Sequence, residues 1–250
     1  MGATDKFLAH RTRQLTAEER AALEGAMSGT RELGPRSTLL RQGDTLTQST
    51  LLIDGLMGRY LDDRQGSRQL IALHVPGDFV DLHGFPLSYL DHDVGSLTAC
   101  TIGLFPHRSL RELLERVPSL WIKLWYSTML DAAMHRQWVF RLGRLDAVAR
   151  LANFMCELHL RFRAIGIGDA NGFPLPLTQT DIAEMCGLTH IHVNRVLRQL
   201  REEGLLEVRP GRVTIHDAAA LARRGQFEPG YLYLDDDDPR HAPDRQGERV

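Results

Sequence analysis

Much that would mark an enzyme or a secreted protein is missing from this chain. Its 250 residues hold only three cysteines, Cys100, Cys156 and Cys186, widely separated and without a CxxC or Cys/His spacing. A disulfide framework is excluded, and a reducing, cytoplasmic setting is expected. No apolar run approaches the roughly 18 to 20 residues that cross a bilayer, and the N-terminus has no apolar signal core, so a soluble protein without a membrane partner is expected. There is no phosphate-cradling glycine loop, no HExxH and no nucleophile elbow, and the Ser, His and Asp residues follow no catalytic spacing. Nothing supports an enzyme. Positive charge is not in excess either: the formal net charge is −2, so any contact with nucleic acid must come from a local cluster of Arg and Lys.

With 43% hydrophobic and 25% charged residues, the chain is long enough for two domains with cores of their own. Thr16-Ala17-Glu18-Glu19 reads as a capping box, which predicts a short helix over about 16 to 28. From about 33 to 106 come short apolar pieces, Thr38 to Leu40, Leu51 to Ile53, Gln69 to Val75, Phe79 to Leu82 and Leu97 to Phe105, separated by turn formers such as Asp54-Gly55 and Pro76-Gly77-Asp78. Short strands at this spacing predict an all-β sandwich or roll over residues 1–117.

Past Pro106 the period becomes helical. Residues 118–143 form one long apolar helix bearing all three tryptophans, and its wide stripe predicts pairing with a second copy of the chain. Trp121, Leu124, Trp125, Met134, Trp138 and Leu142 are the expected dimer contacts. Gly143 is the expected break and hinge, with residues 144–226 as a second domain. Residues 227–250, ending in an acidic run, have too little apolar content to fold alone and are expected to form a disordered tail.

The informative segment runs from Leu177 to Ile215. Thr178 caps a helix with Ile182, Ala183 and Met185 inward, Gly187 allows a sharp turn, and Thr189 caps a second helix with Val193, Val196, Leu197 and Leu200 as its inner stripe. Between 189 and 201 there are three arginines and no acid. A first helix bracing a second, basic one is what a helix-turn-helix needs, and two short strands around Arg209-Pro210-Gly211-Arg212 add a wing able to meet phosphates.

This segment resembles the C-terminal domain of the Crp/Fnr regulators. The family pattern L-T-x-x-D-I-A-x-x-x-G-L-T-x-x-x-V-x-R-x-L-x-x-L-x-x-x-G-L is satisfied from Leu177 to Leu205. More loosely the resemblance extends over residues 16–220, with Leu40-Arg41-Gln42-Gly43-Asp44, Asp54-Gly55 and Pro76-Gly77-Asp78-Phe79 where the family's β roll keeps its turns. It implies an α+β chain: an N-terminal double-stranded β-helix or jelly roll like that of cyclic-nucleotide-binding domains, a long dimerisation helix and a C-terminal winged helix-turn-helix. It further implies a homodimer acting on an inverted repeat in double-stranded DNA, with RNA polymerase as a further partner. The implied DNA contacts are Gln179, Thr189, His190, Ile191, His192, Asn194, Arg195, Arg198, Arg209 and Arg212. Arg195 has the fork that matches the O6 and N7 acceptors of guanine. Ile191 departs from the glutamate of many relatives, so the operator of the cyclic-AMP-responsive members is not expected, and a thymine methyl is a suitable partner for it.

The sensor half departs further. Where relatives that bind cyclic nucleotides have a Gly-Glu pair and an Arg-Ser or Arg-Thr, this chain has Asp81-Leu82 and no Arg or Lys from Gln69 to His107. Cyclic nucleotide binding in the usual mode is not expected. An N-terminal iron-sulfur cluster is not expected either, because no cysteine precedes Cys100. His74, His83, His92 and His107 are read as surface or turn residues, not as metal or haem ligands, and Cys100 as a small buried hydrophobe. No cofactor is expected. The competing function is a ligand- or redox-sensing module whose C-terminal domain binds a protein.

Overall fold

The computed structural model describes residues 2–9, 11 and 13–234. Helix α1 (Ala17–Gly25) begins with the predicted capping box: Glu19 N donates to Thr16 Oγ1 at 3.2 Å, and Thr16 N donates to the Glu19 carboxylate at 2.8 Å. The β roll follows as β1 (Gly29–Leu33), β2 (Thr38–Leu40), β3 (Gln48–Asp54), β4 (Met57–Asp62), β5 (Arg68–His74), the short helix α2 (Gly84–Leu87), β6 (Asp93–Ser96) and β7 (Cys100–Pro106). These strands pair antiparallel in two sheets, β1-β7-β3 and β2-β6-β4-β5. Leu52 and Ile102 of the first sheet meet Met57 and Val94 of the second in one apolar cluster. The β3–β4 turn depends on Gly55 at φ +89°, where a Cβ would meet the carbonyl oxygen of Ala99 at 2.3 Å.

Two expectations for this half need correction. Phe79 to Leu82 is not a strand: Phe79 makes a single bridge to Leu51, and the chain turns away as the Asp81 carboxylate accepts from Thr50 N. The pieces that became β1, β4 and β6 carried too many polar residues to stand out as strands. Of the histidines expected at the surface or in turns, His83 and His92 do lie in turns, half-buried and buried with their rings 5.3 Å apart, whereas His74 ends β5 and His107 begins the next helix, both buried.

Helices α3 (His107–Arg116), α4 (Ser119–Arg144) and α5 (Ala147–Ala164) come next. At 26 residues α4 is about 39 Å long. It runs through Gly143, so the expected break there is displaced: Leu145 is extended, and Asp146 caps α5 by accepting from Ala149 N at 2.8 Å. A glycine weakens a helix without ending it; the aspartate cap sets the boundary.

The winged unit contains β8 (Gly172–Leu175), α6 (Gln179–Cys186), α7 (His190–Glu202), β9 (Leu206–Arg209), β10 (Gly211–Ile215) and α8 (Ala218–Arg224), with strand order β8-β10-β9. Strand β8 was missed because it is four residues long with a proline inside. The tail begins later than expected. Phe227 and Leu232 are buried, a 3-10 turn spans Pro229–Leu232, and Tyr231 Oη donates to Glu157 Oε2 at 2.7 Å. The rest of the expected tail, residues 235–250, lies outside the described residues.

The largest apolar core ignores the division into halves. It joins Tyr60, Leu70 and Leu73 of the β roll to Trp138 of α4, Phe154 and Leu158 of α5, and Ile182, Val193 and Val213 of the winged unit. A chain of buried charges follows the same path. Arg161 of α5 donates to Leu73 O at 2.8 Å and to Asp78 at 2.7 Å, and it lies 3.5 Å from Glu157. Glu157 pairs in turn with Arg141 of α4, whose Nε donates to Asn153 Oδ1 at 2.9 Å.

Candidate nucleic-acid interface

Local chemistry sets the helix-turn-helix. Asp181 N donates to Thr178 Oγ1 at 3.2 Å and Thr178 N donates back to Asp181 at 2.7 Å, a second complete capping box. Gly187 ends α6 at φ +58°, with Leu188 N bonded to Ala183 O at 2.9 Å. Thr189 then caps α7 by accepting from His192 N at 3.3 Å. Val193, Val196 and Leu200 are buried, and Leu197 is half-buried.

That inner stripe fixes which side chains face out. Thr189, His190, Ile191, Asn194, Arg195 and Arg198 are exposed, and His192 is half-buried. Ile191 is 70% exposed, so its side chain is open to contact from outside the protomer. Gln179, Asn194, Arg198 and Arg209 share a groove of about 570 Å³ between α7 and the wing, together with Arg201. Arg201 was not among the expected contacts; its place one turn beyond Arg198 was the available signal. The wing arginines have surface partners, Arg209 with Glu207 at 3.1 Å and Arg212 with Asp169 at 2.8 Å. Exposed pairs of this kind are worth little and yield readily to a phosphate.

The expected dimer contacts divide. Trp121 and Trp125 are exposed, the latter by 60%, while Met134 and Leu142 are half-buried. Leu124 and Trp138 point into their own protomer: Trp138 is 4% exposed, lies edge-on to Phe154 and donates from Nε1 to Glu157 at 3.2 Å. The outer stripe instead includes Ile122, Met129, Val139 and Phe140, all exposed. Periodicity alone could not tell which of two apolar faces the rest of the chain would cover.

Inside the β roll a cation comes from β4, which precedes the segment from Gln69 to His107 that has no Arg or Lys. Arg59 of β4 is 2% exposed, donates from Nε to Val80 O at 2.8 Å and pairs with Asp131 of α4. Burial and then the Arg59 charge depress His74 to about 4 and His83 to about 3, while burial pushes the Asp81 carboxyl up to about 7. The Arg59 guanidinium is thus already held by a carboxylate, and the buried Asp81 lies beside it. Burial also pushes Cys156 and Cys186 up to about 12 and raises Cys100, so all three thiols stay protonated at neutral pH.

A β roll joined through a long helix to a winged helix-turn-helix, with an outward, acid-free recognition face, defines a DNA-binding regulator built on a sensor-type roll. Comparison with known proteins agrees. A Crp-like helix-turn-helix domain model matches residues 149–224, and a cyclic nucleotide-binding domain model matches residues 30–117. The transcriptional activator protein FnrA of Stutzerimonas stutzeri is 28% identical over 83% of this chain and 84% of its own length. The transcriptional activator protein anr of Pseudomonas aeruginosa is 27% identical over 86% and 88%. Among solved structures, FixK2 from Bradyrhizobium japonicum superposes with a TM-score of 0.71 at 22% identity, covering 78% of this chain and 96% of its own. Both halves of the chain are thus similar to the Crp/Fnr regulators, and the chain is a DNA-binding transcription regulator of the Crp type.

Proposed function

We propose that the protein acts in the cytoplasm as a symmetric homodimer that reads an inverted repeat, with no catalytic activity. The outward face of α7 carries this reading: Ile191 and Arg195 lie exposed one turn apart, with no acidic residue between Thr189 and Arg201. Arg195 takes the bidentate guanine contact and Ile191 packs on a thymine methyl. His190, His192 and Asn194 complete the reading head. Gln179, Thr189, Arg198, Arg201, Arg209 and Arg212 hold the flanking phosphates.

Dimerisation uses the exposed stripe of α4, where Ile122, Trp125, Met129 and Val139 recur at a spacing that suits pairing of two copies. A two-fold axis along these helices would set the recognition helices roughly 34 Å apart, one turn of DNA. RNA polymerase is the further partner, in keeping with relatives named as transcriptional activators. No cyclic nucleotide or iron-sulfur cluster governs the protein. The committed guanidinium of Arg59 and the lack of cysteine before Cys100 support that view.

Selection of bound sequences from random duplexes tests the reading. The wild-type protein should enrich an inverted repeat, and Arg195→Ala should lose discrimination at one position per half-site, at about 1 to 3 kcal/mol. An unchanged preference in that variant would refute the role given to α7.

A further inference from the structure

We propose that the cleft enclosed by the N-terminal segment, the turn after β5, α4, α5 and the 3-10 turn binds a small hydroxycarboxylate of the size of glycolate. Arg11 and Arg161 take its carboxylate, and His74 takes its hydroxyl. The site is independent of the reading of α7 as the DNA-binding face.

Five separate pieces of the chain meet around this one space, with Phe7, Asp78, Leu130, Ile165 and Leu232 among its walls. The N-terminal segment is pressed onto the turn after β5: a Cβ on Gly77, which has φ +99°, would meet the Lys6 carbonyl oxygen at 2.5 Å. Arg11 holds the opposite side by donating to Leu232 O. The space is about 40 Å³, roughly that of three waters, which suits a molecule of a few bonded atoms and excludes a nucleotide. It also lies apart from the interior of the β roll, for neither Arg59 nor Asp81 lines it.

The charges around the cleft leave one cation over. Arg161 is matched by Asp78 and Glu157, Glu157 is shared with Arg141, and Asp131 is taken by Arg59. Arg11 is half-buried and forms no ion pair among the described residues. Desolvation lowers its pKa to about 10, so it stays charged at neutral pH. A desolvated guanidinium without a counterion calls for an anion, and a carboxylate matches its fork.

Two unsatisfied groups specify the rest. Arg161 Nε and His74 Nε2 are buried without a hydrogen-bond partner among the described residues, and both side chains line the cleft at 2% exposure. An Nε–H can only donate, so it requires an acceptor oxygen. His74 is neutral at physiological pH, and its Nδ1 lies 3.7 Å from Asp78 Oδ2, an oxygen that can only accept. The imidazole proton therefore belongs on Nδ1, and Nε2 presents a lone pair that requires a donor. A carboxylate with a hydroxyl beside it supplies the charge, the acceptor and the donor together. Ordered water is the rival occupant, but water brings no charge to Arg11.

Calorimetric titration and thermal denaturation of the full chain test the site, with glycolate and acetate as probes and ionic strength held by gluconate, which is too large to enter. Glycolate should bind saturably, one per protomer, and raise the melting temperature as its concentration rises. Acetate leaves His74 Nε2 unpaired and should bind about tenfold more weakly. Arg11→Gln should weaken glycolate binding by about tenfold or more, and Arg11→Lys, which keeps the charge, should lose less, once circular dichroism has shown each variant folded. Absence of saturable glycolate binding to the wild type would leave water as the occupant and overturn the proposal. Equal affinity for acetate, or undiminished affinity in Arg11→Gln, would overturn it as well.

Discussion

Replacing Glu157 by glutamine isolates the buried charges that join α4 to α5. The side chain would keep nearly the same volume, and one carbonyl oxygen would still accept from Trp138 Nε1. Its charge, however, is what balances Arg141 on one side and adds to Asp78 in balancing Arg161 on the other. Arg161 would retain Asp78. Arg141, fully buried, would be left with Asn153 and no anion. Removing one partner of a buried pair costs about 3 to 5 kcal/mol, because the remaining charge stays desolvated. For a chain of this size each kcal/mol lowers the melting temperature by roughly 2 to 4 °C, so a fall of roughly 6 to 20 °C is expected in calorimetry. Glu157→Gln combined with Arg141→Met should recover much of the loss, since an apolar side chain of similar length removes the orphaned charge. A melting temperature within about 2 °C of wild type for Glu157→Gln would refute the reasoning, and so would a double variant that loses the sum of the single losses.

Two other substitutions probe separate features. Asp81 is raised from 3.8 to about 7 by burial, so its folded form binds a proton that the unfolded chain releases. The stability tied to that proton is present in full below about pH 4 and is lost as pH rises to about 7, an effect of up to about 4 kcal/mol. Asp81→Asn should therefore gain on wild type in chemical denaturation as pH rises from 4 to 8; a constant difference across that range would rule the effect out. Trp125→Glu places two carboxylates on the proposed dimer seam while leaving the protomer core untouched, so it should yield monomers in sedimentation at micromolar concentration with unchanged circular dichroism. A stable dimer of that variant would place the interface elsewhere.

The residues of the helix-turn-helix were legible because each local rule agreed with the next. Thr178, Gly187 and Thr189 fix two caps and a turn, and Val193, Val196 and Leu200 fix the buried face, so the outward set follows by subtraction. The β roll was legible as a class but not strand by strand. Phe79 to Leu82 has the composition of a strand, yet Asp81 turns its carboxylate onto Thr50 N and ends the pairing. The long helix was found within a residue of its ends, but Trp138 and Leu124 were assigned to the wrong face because the charges that recruit Trp138 inward come from α5. The Arg59–Asp131 and Arg161–Asp78 pairs were invisible for the same reason: each joins residues far apart along the chain. Pairings of that kind are properties of the tertiary fold, and no local spacing encodes them.

The apolar core that runs from Tyr60 through Trp138 to Val213 bears on how such a protein could be re-engineered or could evolve. A reading head that hung on a flexible tether could be cut out and transplanted, carrying its specificity to a new sensor. Here the winged unit has no complete interior of its own, since part of the wall around its hydrophobic side chains is supplied by β4, β5 and α4. A graft taken from Asp146 onward would bring bare apolar surface with it and would prosper only on a host roll shaped to cover that surface. Changes of operator preference can therefore accumulate on the outer face of α7 one residue at a time, whereas exchange of whole sensors requires both sides of a shared interior to change together.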